Sequence, residues 1–145
     1  MDRLTCLERS LNMSAIRSQG MKPEIVVRRL VHAMGYRFRL HEKGLPGKPD
    51  LVFPSRRAVI FVHGCFWHQH RAAGCKIVRM PKSNLRYWRP KLMANQKRDV
   101  HNLARLRSRG WRVLVVWECA TTGEIKLAKR LRKFLGSARR QIGTG

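Results

Sequence analysis

The strongly apolar segment Ala58-Val59-Ile60-Phe61-Val62 reads as a β-strand, and it closes on the run His63-Gly64-Cys65-Phe66-Trp67-His68-Gln69-His70. Those eight residues hold three imidazoles, a thiol and two large aromatics where a strand emerges from its sheet. Imidazole transfers protons near neutral pH and binds metals, and Cys with His suits zinc. Phe66 and Trp67 at such a tip have no obvious core to fill, whereas flat rings there can stack on or wedge between bases. Just upstream, Pro49-Asp50 opens a second apolar strand, Asp50-Leu51-Val52-Phe53. A carboxylate and histidines at the ends of neighbouring strands have the composition of a metal-dependent phosphodiesterase site.

The rest of the chain supplies the scaffold for that tip. Pro23 suits a first helical turn, and Ile25, Val26, Leu30, Val31 and Met34 form one apolar face before Gly35 stops the helix. Tyr36-Arg37-Phe38-Arg39-Leu40 alternates as a half-exposed strand does. The turn Gly44–Pro49 delivers Asp50, and Pro54–Arg57 turns into the next strand. Residues 64–90 lack a helix-length pattern. A helix is expected from about Lys91 to Arg109, with Leu92, Val100, Leu103, Ala104 and Leu106 inward. Trp111–Trp117 reads as a buried strand ending at Glu118-Cys119. Thr121-Thr122-Gly123-Glu124 has the form of a capping box, opening a last helix with Leu127, Ala128, Leu131, Phe134 and Leu135 on one face. This order predicts an α/β fold, one mixed sheet flanked by helices. Residues 21–136 are its domain, between a basic arm at 1–20 and a basic, flexible tail at 137–145.

Charge points to the partner. Across 145 residues, 32 Lys and Arg face 8 Asp and Glu, a net charge of +24 that attracts polyanions and raises encounter rates with them. No basic amphipathic helix, membrane-length apolar span or lipidation motif directs that charge to a lipid surface. Met1–Cys6 has no signal-peptide core, so a cytoplasmic, nucleoid-associated protein with reduced cysteines is expected.

Cys65-x4-His70-x4-Cys75 places three soft or borderline ligands on one irregular segment, and Cys119 ends a strand that could run beside them. Together they are a Cys3His set, the composition of a closed structural zinc site. The alternative is small buried thiols beside a surface histidine. Acids are scarce: Asp2 and Glu8 lie in the arm, Glu42 and Glu124 in turns and Asp99 in mid-helix, leaving Glu24, Asp50 and Glu118 to approach the strand ends. A carboxylate opening an apolar strand is costly unless a cation or donors satisfy it, so Asp50 is either a Mg²⁺ ligand or a cap for backbone amides.

Leu45–Asp50, Val59–His68 and Trp111–Cys119 together resemble the very short patch repair endonucleases, over roughly residues 10–135. The resemblance implies a restriction-endonuclease-like fold and Mg²⁺-dependent nicking of one DNA strand at T:G mismatches, which arise when 5-methylcytosine deaminates. It implies that Asp50 and the Val62 carbonyl bind Mg²⁺, with His63 and His68 at the scissile phosphate and His68 the general base. Glu24 resembles the family's first-helix acid. Phe66, Trp67 and Trp88 match aromatics that wedge into the duplex, and Asn95 lies where relatives contact DNA near the mismatch. Cys65, His70, Cys75 and Cys119 match structural zinc ligands. A monomer acting on mismatched duplex DNA is expected, with mismatch-repair proteins as candidate partners. Phe61 and His63 stand where restriction enzymes carry an acidic-x-Lys pair, and the Arg71–Gly74 spacer varies among relatives.

Two other classes share parts of this pattern. A zinc-containing RNA-binding protein would carry the same charge and Cys3His set without needing Asp50, His63 and His68 together. A DNA-binding module that does not cleave would tolerate loss of Asp50.

Overall fold

The computed structural model describes residues 22–40, 42–68, 70, 75 and 83–137. The arm at 1–20, the spacer Arg71–Gly74 and the tail beyond Ser137 lie outside the described residues. In chain order the elements are α1 (Pro23–Ala33), β1 (Leu51–Phe53), β2 (Ala58–His63), α2 (Leu85–Ser108), β3 (Arg112–Trp117) and α3 (Glu124–Leu135), with 3₁₀ turns at Pro54–Arg56 and Glu118–Thr122. The three strands form a mixed sheet with β2 at its centre. β2 runs antiparallel to β1, with Leu51 opposite Ile60, and parallel to β3, with His63 opposite Trp117. Parallel neighbours need a crossover between them, and α2 lies in it.

Each face of the sheet is covered. Leu51, Phe53, Ala58, Ile60 and Val116 pack with Val27, Leu30 and Val31 of α1 and with Leu127, Ala128, Leu131 and Leu135 of α3. Val52, Val59 and Phe61 pack the other way, with Leu106 of α2 and the half-buried Leu103, Val113 and Val115. Burial on both faces is why β2 reads as an unbroken apolar run rather than an alternating one. Side chains alternate along a strand, so His63, two residues beyond Phe61, shares the face that α2 covers. At the opposite end of the sheet, Arg56 donates to the Leu135 and Ser137 carbonyls at 2.7 and 2.8 Å, satisfying the end of α3.

Five local expectations change. The strand expected at 36–40 reduces to one bridge, Arg39 with Val52. Tyr36 is instead drawn into the core with its hydroxyl on the Gly136 carbonyl, and Phe38 packs on Phe53. α2 begins at Leu85, not Lys91, and carries Pro90 inside it. An internal proline costs about 3 kcal/mol; here the longer helix sets Trp88 against Phe66 and Trp67. The buried stripe of α2 is also rotated. Leu92, Leu103 and Leu106 face inward in phase with Asp99 and Asn102, while Val100 is 69% exposed and Ala104 points outward. β3 is half-buried, with only Val116 fully covered, because it forms an edge among the described strands. It ends at Trp117, so Cys119 lies in the following 3₁₀ turn. The capping box does not form: Thr121 and Thr122 donate to the Glu118 and Cys119 carbonyls, and Gly123 precedes α3 without a side-chain cap.

The rotated stripe gives a direct check by urea denaturation. Val100→Glu should leave stability within about 0.5 kcal/mol of wild type, whereas Leu106→Ala should cost about 2–5 kcal/mol. The reverse ranking would mean that α2 packs in the phase expected from the sequence.

Candidate catalytic and metal sites

Past His63 the chain turns sharply: the His68 amide donates to the Gly64 carbonyl at 3.1 Å and the His70 amide to the Cys65 carbonyl at 3.0 Å. This folds His68 back over His63, and the two imidazoles stack with centroids 3.9 Å apart and planes 8° from parallel. On the neighbouring strand, the Asp50 amide donates to Ile60, and its Oδ2 accepts the Val62 amide at 2.7 Å. The turn that delivers Asp50 presses on α2. Gly47 has φ +77°, and a Cβ there would lie 3.0 Å from the Asn102 Cβ, so backbone angle and space both call for glycine. A cavity of about 210 Å³ opens between these elements, lined by Lys48, Asp50, Phe61, Val62, His63, His68, Asp99 and Asn102 among others. Asp50 thus caps a backbone amide and also faces a cavity shared with two imidazoles; a carboxylate has lone pairs for both. Glu24 does not line this cavity. It sits on α1 and pairs with Arg28 at 3.5 Å.

Asp99, by sequence a mid-helix acid, is a central member of the site. Its Oδ2 pairs with Nδ1 of His68. A readable signal existed: Asp99 stands seven residues after Leu92 and seven before Leu106, in phase with the buried stripe, where an acid needs a partner. His63 is buried, and burial, reinforced by the charge of His68 and partly offset by Asp99, pushes its pKa down from 6.5 to about 4. It is therefore neutral at physiological pH and can donate or accept a hydrogen bond without carrying charge.

Behind this pair lies the second cluster. Donor atoms of Cys65, His70, Cys75 and Cys119 all fall within 4.8 Å of one another and could hold a metal ion. His70 Nδ1 is 3.6 Å from Cys65 Sγ and 3.4 Å from Cys119 Sγ. The Cys119 amide donates to Cys65 Sγ at 3.4 Å, and the Cys65 amide to Glu118 Oε1 at 3.3 Å, tying the tip to the end of β3. Burial pushes the Cys65 thiol up to about 12 and raises Cys119 as well. Bare thiols would keep their protons there, and a bound cation would displace them. His70 is not a simple surface histidine, because its ring stacks on Trp117 at 4.1 Å.

The aromatics group beside both clusters. Phe66, Trp67 and Trp88 make mutual ring contacts at 5.2–5.8 Å. They pack on one another, yet Trp67 remains 49% exposed. Asn95 Nδ2 donates to the Trp67 carbonyl at 3.2 Å and so buttresses the tip from α2.

Comparison with known proteins gives consistent results. The family described as DNA mismatch endonuclease Vsr matches residues 1–74. Type II nicking enzyme V.XorIIP of Xanthomonas oryzae pv. oryzae is 54% identical over 134 residues, 92% of this chain and 96% of that protein. DNA mismatch endonuclease Vsr of Escherichia coli K12 is 42% identical over 119 residues, 82% and 74% of the two chains. Type II nicking enzyme V.NmeAIP of Neisseria meningitidis serogroup A is 37% identical over 134 residues, 92% and 94%. Among the described residues no helix is long and apolar enough to cross a membrane.

Proposed function

The chain belongs to the DNA mismatch endonuclease Vsr family, and from that premise we propose that it nicks one strand of duplex DNA at T:G mismatches by Mg²⁺-dependent hydrolysis. The observation that carries this reading is the convergence of Asp50, His63 and the His68–Asp99 pair on one cavity, with the exposed Trp67 next to His68 in the chain. A binding module would have no use for a carboxylate-anchored imidazole. The helix order and mixed sheet are consistent with a restriction-endonuclease-like core. On this reading the protein acts as a monomer at the nucleoid, in the cytoplasm, with mismatch-repair proteins as further partners.

The chemistry follows from the side chains. Mg²⁺ fits the hard oxygens here, the Asp50 carboxylate and the Val62 carbonyl, and when bound supplies charge stabilisation at the scissile phosphate. Asp99 holds Nδ1 of His68, which orients the ring and leaves Nε2 to take the proton of the attacking water. Neutral His63, stacked on His68, offers a ring hydrogen bond to a phosphate oxygen. Glu24 reaches this site only if α1 or its ion pair adjusts on DNA, and that is its proposed place. The three thiols and His70 suit zinc, which would pin the tip rather than react. Phe66, Trp67 and Trp88 enter the duplex beside the mismatch while Asn95 supports them. Unstacking a step costs about a few kcal/mol, and less where pairing is already distorted.

Two experiments test this reading. Asp50→Asn should bind a T:G duplex within a few-fold of wild type and lose nicking, and His68→Ala should slow nicking by about 10²–10⁴, the size of a lost general base. Wild-type nicking by Asp50→Asn would remove the site assignment. Trp67→Ala should weaken binding to T:G duplex far more than to matched duplex while the protein stays folded. Equal losses on both duplexes, or a large fall in melting temperature, would return Trp67 to a packing role.

A further inference from the structure

Trp117 lies outside both clusters and touches each of them. It is the last residue of β3, directly opposite His63 in the parallel register. Val113 and Val115 face α2, so alternation places Trp117 on that side too, with His63. The indole stacks on His70 at 4.1 Å with planes 11° apart. It also meets His63 nearly perpendicular at 5.2 Å and 80°, and His68 at 6.4 Å and 73°. With the His63–His68 stack at 3.9 Å, four rings form one contiguous block running from the thiol cluster to the cavity. Trp117 is neither a donor in that cluster nor part of the cavity wall.

We propose that Trp117 is a positioning residue that fixes the His63 and His68 rings for catalysis and carries the geometry of the metal-binding cluster to them. The inference rests on the assignment of His63 and His68 to the nicking reaction. Asp99 restrains only one edge of His68, at Nδ1. Rotation of the stacked imidazole pair about its side-chain bonds is blocked by whatever fills the space behind it, and Trp117 occupies that space. His70 Nδ1, in turn, lies 3.6 Å from Cys65 Sγ and 3.4 Å from Cys119 Sγ, so engagement in the cluster would fix its ring. A cation held by the thiols and His70 would thus set the plane on which Trp117 rests. This gives the cluster an effect on rate in addition to pinning the tip, because small misplacements of a general base are costly in rate.

The test compares Trp117→Leu, Trp117→Phe, His70→Cys and the double variant Trp117→Leu/His70→Cys with wild type. Four quantities are measured: single-turnover nicking of a T:G duplex, affinity for that duplex, zinc per chain and melting temperature. Trp117→Leu should nick about 10–100-fold more slowly while keeping its zinc and binding the duplex within about twofold of wild type. Trp117→Phe, which retains a flat ring, should recover most of the rate. His70→Cys offers a set of four thiols and should keep zinc, but it loses the ring beneath Trp117, so it should slow nicking similarly. The double variant should then be no slower than the slower single variant, since both changes break one linkage. Normal nicking by Trp117→Leu, a loss confined to duplex affinity, a Phe variant no better than Leu, or multiplicative effects would overturn the proposal. Should Trp117→Leu lose zinc or unfold, His70→Cys decides: with zinc in place and a wild-type rate, it overturns the proposal. A wild-type protein that nicks no T:G duplex would overturn the assigned reaction itself, an outcome distinct from fast variants of an active wild type.

Discussion

The packing of β2 between two hydrophobic layers governs everything at the tip. Ala58 and Ile60 are held by α1 and α3, and Val59 and Phe61 by α2, so the strand can neither slip nor twist without exposing one layer. His63 inherits that fixed register: its side, its depth and its position opposite Trp117 are set by residues that do no chemistry. A one-residue shift would carry the imidazole to the other face of the sheet, away from Asp99. Gly64 and the turn after it then return His68 onto His63 within hydrogen-bonded backbone. The anchor of the site is core.

Against that scaffold the charge distribution makes sense. The chain is strongly basic, and phosphate attraction of this kind acts alike on every sequence and falls steeply with salt. Among the described residues, three of the few acids, Asp50, Asp99 and Glu118, gather toward the end of the sheet where β1 begins and β2 and β3 end. Each engages a partner there: a backbone amide for Asp50, an imidazole for Asp99 and the Cys65 amide for Glu118. Positive charge and the acidic, imidazole-rich notch are therefore separated: on the proposed function the former gathers duplex and the latter acts on it.

Much of this was legible in the sequence because strand chemistry is local. The apolar runs at 51–53, 58–62 and 112–117 announced the sheet, and Cys65, His70 and Cys75 announced the cluster that Cys119 completes. What was not legible depended on helix phase and on long-range contacts. Val100 and Ala104 fitted an apolar face as well as Asp99 did not, so hydrophobicity alone chose the wrong stripe and hid the partner of His68. The lack of a helix-length pattern over residues 64–90 put the helix start at about Lys91, although the aromatic packing of Trp88 lies in a helix that has already begun. The 36–40 alternation was real, but Tyr36 found a better place in the core than a fourth strand could give it.

On the proposed function, this notch hydrolyses one strand at a mismatch with a divalent cation's help. That is tested most directly by incubating the pure protein with end-labelled duplexes, one fully matched and one carrying a single T:G pair, with Mg²⁺ and with chelator. The expected result is a nick in one strand of the T:G duplex, only when Mg²⁺ is present, and none in the matched duplex. Equal cutting of both duplexes, cutting in chelator, or no cutting of any T:G duplex would contradict it.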